Sequence, residues 1–282
     1  MASAPTLTSE QADAAFRLHC LNRDTTNLGL LRHRNYTGFL VTGQHSGTHW
    51  IKWMLSHALA SRHNLTPPQY ANNASTNDLI GQPREHRKFI AATHTIAPYA
   101  LEWKWLREVM PLPPYAVVVR DIRDVLISNY EKWRNLRYNV DFSTYVAGDP
   151  TSRAYVCDVW WYVHFLNRWG EVASRYPDQT MVLTYESFRR DALEGLRRID
   201  AHFKLDLGEE ALAAGLAAGT KEIMAAHQDP AIDERPVRLD GQGDATFSQA
   251  DTALLKGILD RNLKHDFGYD YFDAPRGFRP KA

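Results

Sequence analysis

Short apolar runs alternate with longer stretches of helical periodicity along most of this chain. Runs typical of strands covered on both faces predict β-strands at residues 38–42, 88–92, 115–119 and 180–184. Apolar residues that recur three and four positions apart predict helices over 48–62, 121–137, 153–176, 186–203, 209–218 and 249–263. This alternation predicts an α/β fold, with a parallel sheet flanked by helices on both faces.

Two stretches show no regular period. Residues 64–86 are rich in Asn, Pro, Thr and Gln, and residues 229–247 contain several Pro and Gly. Long loops in compact proteins are often lids or binding segments, so we predict irregular or lid-like structure for both. No shift in composition marks a domain boundary, and residues 1–282 are therefore predicted to form a single domain.

The segment from Val41 to Trp50 joins the first predicted strand to the first predicted helix. A strand, a small-residue loop and a helix in this order direct backbone N–H groups and the positive end of the helix dipole at one point. We therefore predict a site for a phosphate or a sulfate. The loop is P-loop-like only, because a nucleotide-binding P-loop has Lys after its last Gly, and here Thr48 follows Gly47.

Residues with suitable chemistry follow the other predicted strands, and ligands of open α/β sheets bind at such strand ends. Arg120 offers donors that fit a phosphate, and Ser128 adds a hydroxyl. His94 is a candidate general base, and Tyr185 is suited to stacking on a nucleotide base. Each has a structural alternative: a solvated helix start, a structural histidine or a core aromatic. The Gly-rich loop at 238–244 would by itself be read as a surface turn.

Taken together, these five segments resemble the cytosolic-type sulfotransferases that use 3'-phosphoadenosine-5'-phosphosulfate (PAPS). Residues 42–50 align without a gap with the family's 5'-phosphosulfate loop, Thr-Tyr-Pro-Lys-Ser-Gly-Thr-Thr-Trp. Arg120, Ser128 and Tyr130 fit the 3'-phosphate motif, in which Arg and Ser stand eight residues apart. Weaker matches link Thr93-His94 to Lys-Thr-His-Leu-Pro, residues 185–186 to Tyr-Glu-Asp, and residues 238–244 to Arg-Lys-Gly-x-x-Gly-Asp.

The resemblance implies sulfuryl transfer from PAPS to an acceptor hydroxyl, with PAP as the product and no metal. It implies that His94 and His45 are catalytic, His94 as the general base. It also implies a set of cofactor-binding residues: His45, Ser46, Gly47, Thr48, His49, Trp50, Arg120, Ser128, Tyr185, Arg238 and Gly243.

Several positions depart from the family pattern, and most of them remove a cation. His45 stands in place of the loop lysine, and Ala92 in place of the lysine before Thr-His. His49 replaces the second threonine of the loop, and Leu239-Asp240 replace Lys-Gly in the late loop. His45 must be protonated to do the work of a lysine, whereas His94 must be neutral to act as a base. These opposed requirements predict a narrow pH range.

Composition limits the partners. Basic and acidic residues balance at 33 each, so the net charge gives no argument for nucleic acid or an anionic membrane as a partner, and neither is expected. Two cysteines are too few for a disulfide framework. The N-terminus carries no signal-peptide pattern and no apolar run is long enough to span a membrane. We therefore expect a soluble, cytoplasmic protein that acts on a small hydroxylated acceptor, aromatic or apolar. Its oligomeric state stays open, with a dimer as one option.

Two other functions stay open from the sequence. A metal-dependent hydrolase would use His45, His49 and His94 as ligands, since catalytic zinc sites have three. A nucleotide-binding protein without transfer activity would fit the lost lysines. Aromatic residues are candidates for an acceptor pocket, although core packing is the favoured reading for most of them: Tyr99, Trp103, Trp105, Trp133, Tyr138, Trp160, Trp161, Tyr162 and Phe165.

Overall fold

A computed structural model of the chain describes residues 7–26, 29, 33, 36–72, 74, 88–229, 231 and 245–273. Most of the two predicted irregular segments lies outside these residues, and their lid-like role stays a prediction. In chain order the main elements are α1 (Ser9–Thr26), β1 (Tyr36–Thr42), α2 (Thr48–His63), β2 (Lys88–Thr93), α3 (Lys104–Val109), β3 (Tyr115–Val119), α4 (Ile122–Trp133), α5 (Phe142–Ala147), α6 (Val159–Arg175), β4 (Thr180–Thr184), α7 (Tyr185–Arg190), α8 (Ala192–Phe203), α9 (Glu209–Ala218), α10 (Lys221–Ala226) and α11 (Gln249–Asn262).

The four strands form one parallel sheet in the order β2-β1-β3-β4. Each strand lies within two residues of its predicted bounds, because a continuous apolar run ends where the chain leaves the buried sheet. The pairing places Val41 beside Thr93, Thr42 beside Val118, and Val119 beside Thr184. The carboxyl ends of all four strands therefore meet at one edge.

Both faces of the sheet are covered, as the sequence predicted. On one face, Leu40, Ala116 and Val118 pack with buried residues of α2, α8 and α9. On the other face, Val117 and Val119 pack with α4, α6 and α11. The alternation follows from the two-residue period of a strand. The predicted α/β fold class is confirmed.

Of the predicted helices, 121–137 is α-helical only to Trp133 and continues as a π-helical turn over Arg134–Tyr138. Two others have different bounds because aspartates cap the chain. Helix α6 begins at Val159 rather than 153, since Asp158 accepts the N–H of Trp161 and Asp149 accepts those of Thr151, Arg153 and Ala154 in the preceding turn. The predicted helix 186–203 is two helices, because Asp191 caps α8 by accepting the N–H of Glu194. Short polar side chains favour such caps over helix interiors.

Four helices were not predicted from the sequence: α1, α3, α5 and α10. The last three have six residues each, too few for a period to be recognised. Helix α1 is long but polar, and its main anchors are the buried Phe16 and Asp13. Asp13 accepts hydrogen bonds from Arg261 and Asn262 of α11, a contact across 249 residues that no local pattern reveals.

Candidate active site

The predicted functional segments meet at the carboxyl edge of the sheet. The loop 43–47 follows β1, and His94, Arg120 and Tyr185 follow β2, β3 and β4 directly. Because the parallel strands are in register, these four segments form neighbouring parts of one site. The sequence had placed them at strand ends, and the strand order brings them together.

The loop 43–47 needs glycine at its last position. Gly47 has φ of 83°, and a Cβ there would lie 2.7 Å from the ring of Tyr185. Gly47 is also the N-cap of α2, and no side chain caps this helix end. The first N–H groups of a helix have no acceptor within the helix, so those of α2 suit an anion.

His94 lies beside the two threonines that flank the loop. Its Nδ1 is 2.9 Å from the carbonyl oxygen of Thr42 and 3.2 Å from the hydroxyl of the same residue. That hydroxyl lies 2.6 Å from the hydroxyl of Thr48. A carbonyl oxygen only accepts hydrogen bonds, so Nδ1 of His94 carries the proton. The neutral ring then has its lone pair on Nε2.

The pKa of His94 is lowered from its usual value of 6.5. Burial of the ring is the largest cause, and the positive charges of Lys52 and Lys132 lower the pKa further, while the hydrogen bond to Thr42 raises it. A lowered pKa keeps this histidine neutral at pH 7, which is the form that accepts a proton.

His45 connects the loop to α4. Its Nδ1 lies 3.2 Å from the hydroxyl of Ser128, and its Nε2 lies 2.9 Å from Oδ1 of Asn129. The amide nitrogen of Asn129 donates to the hydroxyls of Tyr138 and Tyr145 and to the carbonyl of Cys157. Oδ1 of Asn129 is therefore the acceptor for His45, and Nε2 of His45 is the donor. In the neutral ring, Nδ1 accepts from Ser128.

The predicted positive charge on His45 has no support in these surroundings. Burial and the nearby charges of Lys132 and Arg120 lower its pKa to about 3, although the hydrogen bond to Asn129 opposes the shift. With that pKa the ring is neutral at pH 7. The opposed protonation of His45 and His94 therefore finds no support either, because both rings are neutral together.

Arg120 is arranged for an anion. Its Nη1 donates to the carbonyl of His45 at 2.8 Å, its Nη2 lies 3.8 Å from Asp124, and its guanidinium stands over the ring of Tyr185 at 4.6 Å. Its Nε is buried and has no hydrogen-bond partner among the described residues. A buried donor without an acceptor is costly, so this atom is suited to bind a phosphate oxygen.

Tyr162 is a site residue that the sequence did not reveal. Its hydroxyl accepts the backbone N–H of Arg120 at 2.9 Å, lies 3.1 Å from the carbonyl of Arg120, and lies 3.2 Å from the hydroxyl of Ser46. It thereby joins the ends of β1 and β3 from α6. From the sequence, Tyr162 is only one of several aromatic candidates. No local feature distinguishes a tyrosine whose hydroxyl forms hydrogen bonds in a site from one whose ring only packs in the core.

Trp50 and Tyr185 lie next to each other. Their ring centroids are 6.3 Å apart at 72°, an edge-on contact. The indole N–H of Trp50 donates to the carbonyl of Gly219 at 2.7 Å, which holds the ring against the end of α9. His49, the second residue of α2, is exposed.

The aromatic candidates divide as the favoured interpretation predicted. Trp160, Trp161, Tyr162, Phe165 and Tyr138 are buried in the core. Trp103 and Trp105 stack on each other and are 46% and 59% exposed. Arg238 and Gly243 lie outside the described residues, so their predicted role in cofactor binding stays a prediction.

The described part of the chain contains no group of three His, Cys, Asp or Glu residues arranged to hold a metal ion. The alternative of a hydrolase with His45, His49 and His94 as ligands thus has no cluster to support it there. In the same part of the chain, no helix combines the length and the hydrophobicity needed to cross a bilayer.

Comparison with known proteins identifies the family. Residues 37–224 match the family model of the sulfotransferase domain, which is more than half of the 282 residues. The chain therefore belongs to the sulfotransferase family, and the predicted PAPS-dependent sulfotransferase family is confirmed. No curated protein sequence matches it.

Solved structures share the fold. Retinol dehydratase in complex with retinol and PAP is 16% identical, with 89% of this chain and 88% of that chain covered and a TM-score of 0.58. Mouse sulfotransferase SULT7A1 complexed with PAP is 15% identical, with 90% and 93% covered and a TM-score of 0.54. At these identities the similarity establishes the common fold.

Proposed function

We propose that this protein transfers the sulfuryl group of PAPS to a hydroxyl of a small acceptor, with His94 as the general base. One observation carries the proposal most directly. The carbonyl of Thr42 fixes the proton of His94 on Nδ1, and Nε2 therefore has the lone pair that a base requires. The lowered pKa of His94 supports this role at neutral pH.

The site fits the nucleotide that the family uses. The uncapped start of α2 suits the 5'-phosphate, and the buried Nε of Arg120, with Ser128 on the adjoining helix, suits the 3'-phosphate. The edge-on pair of Trp50 and Tyr185 suits the adenine. PAPS supplies an activated sulfuryl group, whose bond to the 5'-phosphate breaks as the acceptor oxygen bonds to sulfur. Arg238 and Gly243 are proposed cofactor contacts on their sequence match alone.

The residues of the chain handle the proton and the charge. Nε2 of His94 takes the hydroxyl proton of the acceptor, and the imidazolium so formed keeps its Nδ1–H bond to Thr42. The hydroxyl of Thr48, held 2.6 Å from that of Thr42, is a donor for the developing negative charge together with the N–H groups of α2. His45 contributes as a neutral link that orients Ser128.

The acceptor is proposed to be small and aromatic or apolar. Solved proteins of the same fold have been crystallised with retinol and with androsterone, which are hydroxylated and mostly apolar. The equal numbers of acidic and basic residues support the same class over a polyanionic polymer. A cytoplasmic location stays a prediction from the sequence.

A second function is favoured by one observation. His45 is neutral where the family has a lysine, so a protein that binds the nucleotide without transferring sulfate would fit the same site. Transfer and binding must therefore be measured separately.

The test combines calorimetry with a transfer assay. We expect PAP to bind, and labelled sulfate to pass from PAPS to members of a panel of phenols and alcohols. His94→Gln should retain PAP binding and lose at least about 100-fold in turnover, the lower end of what a general base contributes. Binding by the wild type with no transfer to any acceptor would support the second function, and full turnover by the variant would remove His94 as the base.

A further inference from the structure

The centre of the site lacks a charged group on the loop itself. A neutral His45 occupies the lysine position of the loop, and Ala92 occupies the lysine position before Thr93-His94. Sulfuryl transfer leaves negative charge on the departing phosphate and on the sulfuryl oxygens, and fixed cations in a sheltered site stabilise such charge strongly. Other positively charged side chains near His94 would therefore stabilise the same charge.

Lys52 is one such cation. It stands four residues after Thr48 on α2, so the two side chains share one face of the helix. Lys52 is partly buried, and no hydrogen bond or ion pair to it is recorded among the described residues. Burial lowers its pKa from 10.5, and its charge in turn lowers the pKa of His94.

Lys132 approaches from the other side. It stands four residues after Ser128 and three after Asn129 on α4, on the face that contacts His45. Lys132 is also partly buried, and its Nζ lies 5.3 Å from the centroid of the Trp133 ring. The nearest acidic residue in sequence, Glu131, accepts instead from Arg134 and from the N–H of Ala245.

The positive charges of Lys52 and Lys132 both affect His94. The charge of Lys132 lowers the pKa of His45 and of His94, and that of Lys52 lowers the pKa of His94. Each lysine also stands one helical turn after a residue of the site. Lys52 follows Thr48, whose hydroxyl meets that of Thr42 beside His94, and Lys132 follows Ser128, whose hydroxyl meets His45. The two helices thus bring one cation each to the point where the loop 43–47 faces His94.

We propose that Lys52 and Lys132 supply, from α2 and α4, the positive charge at the sulfuryl end of the site that the loop itself lacks. This inference rests on the proposed sulfuryl transfer. It assigns His45 the positioning of Ser128 and assigns the electrostatic work to two lysines that lie one helical turn beyond the binding motifs.

Calorimetry with PAPS and with PAP tests the inference, because the two nucleotides differ at the sulfuryl end. Lys52→Met and Lys132→Met keep the unbranched, apolar stem of the side chain and remove its charge. We expect the double variant to bind PAPS about ten-fold or more weakly, and PAP within about three-fold of the wild type. Lys52→Arg and Lys132→Arg should retain most of the PAPS affinity, since they keep the charge.

Lys256→Met is the matched control, because Lys256 is exposed on α11 and pairs with Asp260. Its PAPS affinity should equal that of the wild type, and circular dichroism should show all variants folded. An unchanged PAPS affinity in the double variant would overturn the inference, and so would an equal loss for PAP and PAPS, which would place the charges at the nucleotide phosphates. A wild type that binds neither nucleotide would overturn the proposed function itself.

Discussion

Asn129 fixes a proton on Nε2 of His45. Oδ1 of Asn129 accepts the proton on Nε2 of His45 at 2.9 Å, because the amide nitrogen of the same side chain is already engaged with three acceptors. This contact fixes the tautomer of His45. Burial of the ring and the charges of Lys132 and Arg120 keep it neutral, although the hydrogen bond itself favours the charged form. This tautomer leaves Nδ1 of His45 as an acceptor for Ser128, one of the residues proposed to bind the 3'-phosphate.

Asn129→Leu should lower the free energy of unfolding and the affinity for PAP. The change leaves the N–H of His45 without a buried acceptor, at about 1–3 kcal/mol for an unsatisfied group, whereas the carbonyl of Cys157 keeps its hydrogen bond from the hydroxyl of Tyr145. Urea denaturation and calorimetry measure the two effects. Asn135→Leu is the matched control, since Asn135 is exposed in the π-helical turn that follows α4. Equal stability of the two variants would contradict the network.

Near neutral pH, the rate of transfer should decrease only when the pH is lowered. His94 must be neutral, and its pKa is lowered from 6.5, so kcat/KM should stay level around pH 7 and decline as the pH falls below 6.5. His45 is already neutral with a pKa of about 3, so its deprotonation should cause no loss between pH 6 and 8. A bell-shaped profile centred near pH 6 would instead show that a charged His45 is required.

Gly47→Ala should lower the free energy of unfolding by more than the left-handed backbone conformation alone accounts for. Ala at φ of 83° carries a penalty of about 1 kcal/mol, and its Cβ would also meet the ring of Tyr185 at 2.7 Å. Gly208→Ala is a control without the ring contact, because nothing lies within 4 Å of a Cβ there; with φ of 80° and ψ of 159°, its backbone conformation also strongly favours Gly. Both variants should therefore unfold at a lower temperature than the wild type, and PAP affinity should fall only in Gly47→Ala. A similar loss of PAP affinity in both variants would contradict a role for the close contact between residue 47 and the ring of Tyr185.

Tyr162→Phe should destabilise the protein and weaken PAP binding, whereas Tyr271→Phe should do neither. The hydroxyl of Tyr162 satisfies the backbone of Arg120 and contacts Ser46, and its loss should cost about 1–3 kcal/mol. The hydroxyl of Tyr271 is equally buried but has no hydrogen-bond partner in the described part of the chain. Chemical denaturation of both variants gives the comparison, and indistinguishable curves would contradict the role of Tyr162.

Much of the fold could be predicted because it depends on local patterns. The strand at 115–119 is a continuous apolar run that only a buried strand satisfies, and the helix at 209–218 has both its predicted ends. Predictions failed where single polar side chains override a pattern. Asp158 and Asp191 set helix starts by capping, and α1 depends on a distant partner of Asp13.

The sequence by itself determined which residues form the site and the family to which the chain belongs, because the spacing of Gly47, Thr48, Arg120 and Ser128 follows strand ends and helix starts that local periodicity sets. Only the tertiary structure decided the electrical state of the site. Whether His45 is charged depends on its burial by other elements and on the charges of Lys132 and Arg120, which are remote from it in sequence. The pKa of a buried side chain depends on burial, nearby charges and hydrogen bonds, and these come from segments that are remote in sequence.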